Sequence, residues 1–105
     1  MEFKETPTFT RDIGALLPDD EFAELQAELA ATPTTGVLIP GGGGIRKIRW
    51  VLPGRGKSGG ARVIYYWAVS AHQILLLRAY AKSAKVDLTQ REISQLRQIV
   101  ADEYP

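Results

Sequence analysis

The chain has 105 residues, 45% hydrophobic and 24% charged, enough for one hydrophobic core and too little for two, so a single domain over 1–105 is expected. No cysteine and one histidine exclude a disulfide framework and thiolate or multi-histidine metal sites, and neither metal nor cofactor is expected. No apolar run near the roughly 20 residues that span a bilayer, and an opening MEFKETPTFT without the basic-then-apolar order of a secretion signal, disfavour membrane insertion and secretion. The lack of cysteine suits a reducing cytoplasm, so a cytoplasmic protein with no membrane partner is expected.

In chain order, Phe3 to Phe9 around Pro7 suggests a short edge strand. Thr10 is the expected cap of a brief helix carrying Ile13, Leu16 and Leu17, which Pro18 interrupts. Asp19 or Asp20 starts a second helix, with Phe22, Leu25 and Leu29 on one stripe and acidic residues in its first turn, where the helix dipole favours them; Thr32-Pro33 closes it. Three β-rich runs follow, Ile45 to Leu52, Ala61 to Val69 and Gln73 to Ala81, with glycine-rich joints and Ala71-His72-Gln73 as the last hairpin. Thr89 and Glu92 form a T-x-x-E capping box at the start of a final helix bearing Ile93, Leu96 and Val100. The expected fold class is therefore α+β: a small antiparallel β-sheet with two N-terminal helices and one C-terminal helix packed on it.

Charge is sorted along this order. Residues 1–40 carry eight acidic side chains against two basic ones, whereas residues 41–85 carry nine basic side chains and no Asp or Glu. Nine uncompensated cations in one stretch point to an anionic partner, with nucleic acid the first candidate. The segment Gly54-Arg55-Gly56-Lys57-Ser58-Gly59 imitates phosphate-binding glycine motifs, but those require a helix next, and a strand is expected here. A glycine-rich hairpin loop presenting Arg55, Lys57 and Ser58 to phosphate oxygens is the better reading.

Three strings stand out together: Gly43-Gly44-Ile45-Arg46-Lys47-Ile48-Arg49-Trp50, then Pro53-Gly54-Arg55-Gly56-Lys57-Ser58-Gly59-Gly60-Ala61-Arg62-Val63-Ile64-Tyr65-Tyr66, then Tyr80-Ala81-Lys82. This set resembles the HigB branch of the RelE/ParE toxin superfamily, closely over about 40 central residues and in element order over nearly the whole chain. The resemblance implies a RelE-like sheet and a ribosome-dependent mRNA endonuclease of a type II toxin–antitoxin module. It also implies a cognate antitoxin, often of helix-turn-helix type, the ribosome and mRNA as partners, and contact with DNA only through the antitoxin complex. The two basic residues that RelE-type enzymes place two apart on a strand correspond to Lys47 and Arg49, and the arginine opening the next strand to Arg62. The basic residue and tyrosine at the end of the last strand correspond to Lys82 and Tyr80, with Arg78 as a competing cation. The long basic loop is shared with the HigB branch and departs from RelE itself.

Cleavage of RNA by attack of a 2′-hydroxyl on the adjacent phosphate needs an acceptor for the 2′ proton, positive charge on the phosphorane and an acid for the departing 5′ oxygen. One histidine excludes a paired-histidine solution, and the absence of carboxylates from 41–85 argues against a Mg²⁺ held there. Under this reading Lys47 is the candidate base, Arg49 and Arg62 clamp the phosphate, and Lys82 or Tyr80 serves as leaving-group acid or as stacking support for a nucleobase. Arg46, Arg55, Lys57, Ser58, Arg78 and Lys85 are then the expected RNA or ribosome contacts. Period two puts Lys47 and Arg49 on one face of their strand, with Ile48 and Trp50 turned towards helices. Two other readings compete: a non-catalytic ParE-like inhibitor of DNA gyrase, and a plain nucleic-acid-binding module.

Overall fold

A computed structural model describes residues 1–51 and 60–105. The chain runs β1 (Glu2–Glu5), α1 (Pro7–Leu16), α2 (Asp19–Ala31), β2 (Val37–Leu38), β3 (Arg46–Trp50), β4 (Ala61–Ala68), β5 (Gln73–Ala81) and α3 (Gln90–Glu103). The five strands form one sheet in the order β1-β5-β4-β3-β2. From β2 to β5 neighbouring pairs are antiparallel, as expected, while β1 adds a parallel edge beside β5, with Glu2 opposite Gln73 and Glu5 opposite Leu76.

The N-terminal edge strand is present but shorter than Phe3 to Phe9, and Thr10 is not the cap. Thr6 caps α1 instead, its hydroxyl accepting from Phe9 N–H, and Pro7 fills the first helical position. Proline is suited to that position because its φ is already helical and the N–H it lacks has no partner in the first turn. Phe9 therefore goes to the core rather than to a strand. Pro18 separates α1 from α2 as anticipated, and Asp19, Asp20 and Glu21 occupy the first turn of α2. The capping box at α3 forms in full: Glu92 N–H donates to the Thr89 hydroxyl, and Thr89 N–H to the Glu92 carboxylate.

Helices cover both faces of the sheet. On one, Phe9, Ile13, Leu17, Leu25 and Leu29 of the α1–α2 region pack against Ile48, Val63, Tyr65, Ile74 and Leu76. On the other, Ile93, Leu96 and Val100 of α3 pack against Ile64, Leu75, Leu77 and Tyr80. Central β4 is consequently buried continuously from Ala61 to Tyr65 instead of alternating, as a strand covered on both sides must be. Between β2 and β3 the chain turns through Gly41, Gly43 and Gly44, all with positive φ, a region that side chains disfavour.

Past its pairing with Glu5, the β5 edge is taken over by α1. Thr6 donates its N–H to Leu76 O and its hydroxyl to Leu77 O, and the Asp12 carboxylate accepts Ala79 N–H at 3.0 Å. A helix thus supplies the hydrogen bonds that a longer β1 would have made.

Candidate functional site

Strand register assembles the site. Lys47 and Arg49 lie two apart on β3, on the α3 face, and Ile48 turns into the α1–α2 core. Arg49 stands directly opposite Arg62 on β4, and Arg62 directly opposite Tyr80 on β5, so Arg49, Arg62 and Tyr80 form one row across three strands. Lys82 extends the last strand by donating its N–H to Gly60 O. Lys47, Arg49, Arg62 and Lys82 line a common cleft of about 560 Å³ together with Glu28 of α2 and Trp50. The cleft runs along β3 past the end of two-residue β2, where no further strand pairs with β3 among the described residues.

Like charges placed directly opposite each other in a sheet are destabilising. Arg62 is moreover only 4% exposed, and its guanidinium donates to the carbonyl of Ala61 at 3.2 Å. Among the described residues, no carboxylate forms a salt bridge with Arg49, Arg62 or Lys82. A buried guanidinium facing a second arginine without a counter-ion is an arrangement that an incoming phosphate would relieve.

Two polar groups beside the row are unusual. The Tyr80 hydroxyl is buried without a hydrogen-bond partner among the described residues. Its burial raises the phenol pKa above the ordinary value, and the nearby Asp87 charge adds to that, so Tyr80 keeps its proton at neutral pH. Asp87 accepts Leu88 N–H at 2.9 Å, the main reason its carboxyl titrates below the usual range, and it pairs with Lys47 Nζ at 3.3 Å. The Trp50 indole N–H is likewise buried without a partner among the described residues.

Other expected contacts lie elsewhere. The Arg46 guanidinium is on the opposite side of β3, donating to Gly36 O at 2.8 Å and Thr34 O at 3.3 Å. Arg78 Nε donates to Asp12 at 3.0 Å, with Glu92 at 3.8 Å from its guanidinium, and Lys85 reaches Glu92 at 2.8 Å. The acidic flanks of the sequence thereby fold back on part of the basic stretch, pairing Lys47, Arg78 and Lys85. Arg55, Lys57 and Ser58 lie outside the described residues. His72, left-handed at φ 55°, closes the β4–β5 turn, and the length of β4 from Arg62 to Ala68 at that turn sets it roughly 20 Å from the cleft.

Sequence reasoning did not single out Glu28 or Asp87 as neighbours of these cations. Asp87 could have been suspected from its place two residues before the capping threonine; Glu28 had no local signal, since only tertiary packing brings α2 to the rim of β3. A family model described as the RelE toxin of the RelE/RelB toxin–antitoxin system matches residues 18–104, from the start of α2 to the end of α3.

Proposed function

Since the chain belongs to the RelE toxin family, and so is a toxin of a toxin–antitoxin system with a cognate antitoxin as partner, we propose that it is a ribosome-dependent mRNA endonuclease of the HigB type. The observation that carries this reading is the convergence of Lys47, Arg49, Arg62 and Lys82 on one cleft, with Arg49 and Arg62 directly opposite each other and Tyr80 buried beside Arg62. RelE-family toxins are generally ribonucleases, and the chemistry fits these side chains. Arg49 and Arg62 bind the scissile phosphate and stabilise the phosphorane, the larger share of the catalysis expected of fixed cations. The Lys47 ammonium, engaged by Asp87, supports a clamping role over that of a base, and the 2′ proton then passes to a non-bridging phosphate oxygen or to water. Lys82, which lines the cleft, is the candidate acid for the departing 5′ oxygen, while Tyr80, buried behind Arg62, supports that arginine.

Such a site holds phosphate well and orients the ribose poorly, which supports dependence on the ribosome to align the 2′-hydroxyl for attack. It needs no metal in this scheme. Its place of action is the cytoplasm, consistent with the fact that no helix among the described residues is long and apolar enough to cross a membrane. The antitoxin is proposed to be of helix-turn-helix type, with DNA reached only through the complex. In a purified translation system, messenger RNA is expected to be cut when ribosomes are present and left intact when they are omitted. Arg62→Ala is expected to fold, bind antitoxin and lose cleavage by about 100-fold or more; cleavage retained by that variant would refute the assignment.

A further inference from the structure

We propose that Asp87 is a built-in counter-ion that occupies the Lys47 ammonium in the RNA-free protein and gives it up to a substrate phosphate, so that this carboxylate competes with RNA for one of the cleft cations. The proposal rests on the phosphate-binding reading of the cleft above. Lys47 lines the cleft, whereas its partner is held outside it at the approach to α3, fixed by Leu88 N–H. An anchored carboxylate does not follow the lysine when the long, flexible side chain swings towards a ligand. Release is also inexpensive, because the Asp87 side chain is 66% exposed and water solvates it as the pair opens. The surroundings favour the exchange: the cleft offers an incoming phosphate Arg49, Arg62 and Lys82, none paired with a carboxylate among the described residues. Asp87 offers the lysine one solvent-screened contact at 3.3 Å.

Asp87→Asn tests this, since the amide oxygen can still accept Leu88 N–H while the charge is gone. Purified full-length wild type and variant are titrated with a single-stranded RNA oligonucleotide over a series of salt concentrations, with thermal melting to compare folding. The variant is expected to bind about two- to fivefold tighter at low salt, the range an exposed ion pair supplies. Its slope of log affinity against log salt is expected to steepen by up to about 0.7, because a lysine no longer half-cancelled by a carboxylate neutralises a further phosphate charge. In a Lys47→Ala background, Asp87→Asn is expected to change neither affinity nor slope. Equal or weaker binding by Asp87→Asn, or the same gain with Lys47 absent, overturns the exchange. Failure of the wild type as well as the variant to bind the oligonucleotide overturns the RNA reading of the cleft and this inference with it, whereas binding with an unchanged slope overturns only the role of Asp87.

Discussion

Tyr80 separates what a residue does for folding from what it does for chemistry. A buried hydroxyl without a hydrogen-bond partner is a cost to the native state. Tyr80→Phe is therefore expected to be as stable as the wild type or about 1 kcal/mol more so by denaturant unfolding. Since the phenol is buried behind Arg62 and does not line the cleft, the same variant is expected to keep its cleavage rate to within about tenfold, less than the loss of a direct proton donor brings. Tyr65 is the contrasting case, with the same ring fully buried but its hydroxyl engaged: it accepts from Gly36 N–H at 2.9 Å and donates to Pro33 O at 2.7 Å. Tyr65→Phe is expected to lose about 1 to 2 kcal/mol in the same measurement, because both partners are left unmatched. The contrast was not legible in the sequence, where Tyr65 sits in Val63-Ile64-Tyr65-Tyr66-Trp67 and Tyr80 in the run Gln73 to Ala81, both largely apolar. The spacing of Lys47 and Arg49 was legible, because period two in a strand is a local rule. Its opposition to Arg62 depends on register, which local rules do not set.

At the level of elements, the helices do more than cover the sheet. Asp12 of α1 holds both Ala79 N–H and the Arg78 guanidinium, tying a helix to the open edge of β5. Asp12→Ala is expected to lower stability by about 2 kcal/mol, and Asp12→Asn by less, since the amide oxygen still accepts a bond. The start of α3 is a pH sensor for the fold. Lys85 and the Thr89 N–H hold Glu92 down at about 2, from an ordinary value of 4.5. A carboxyl whose folded value is depressed stabilises the native state fully above its unfolded value, and that stability drains as pH falls from about 4.5 towards about 2. Thermal melting across that window is expected to decline more steeply for the wild type than for Glu92→Gln. The capping box itself was plain in Thr89 and Glu92, a short-range pattern with a fixed spacing. The one-turn displacement of the α1 start was not, because Thr6 and Thr10 are equally good caps in isolation and the choice falls to Pro7 and to the burial of Phe9.

Across the whole molecule, the sequence divides its charge into acidic flanks and a basic centre, and the fold partly undoes the division. Asp12, Asp87 and Glu92 return to Arg78, Lys47 and Lys85, which leaves Arg49, Arg62 and Lys82 in the cleft without carboxylate partners among the described residues. Counting charges along the chain located the basic region but overstated how much of it is uncompensated, since Arg78 and Lys47 find partners 66 and 40 residues away and Lys85 finds Glu92 just beyond the basic stretch. The antiparallel core of the sheet was readable from glycine joints and β-branched runs. The parallel edge was not, because β1 meets β5 only after nearly seventy intervening residues.

That parallel edge has a bearing on biosynthesis. The strand made first finds its place only when Gln73 to Leu76 exist. Adding the intervening residues at 5 to 20 per second takes about 4 to 14 s. The row of arginines and tyrosine closes later still, when Tyr80 has been added. On the proposed reading of the cleft, a nascent copy acquires its phosphate-binding row only once Tyr80 has been added, and the antitoxin is needed from that point on.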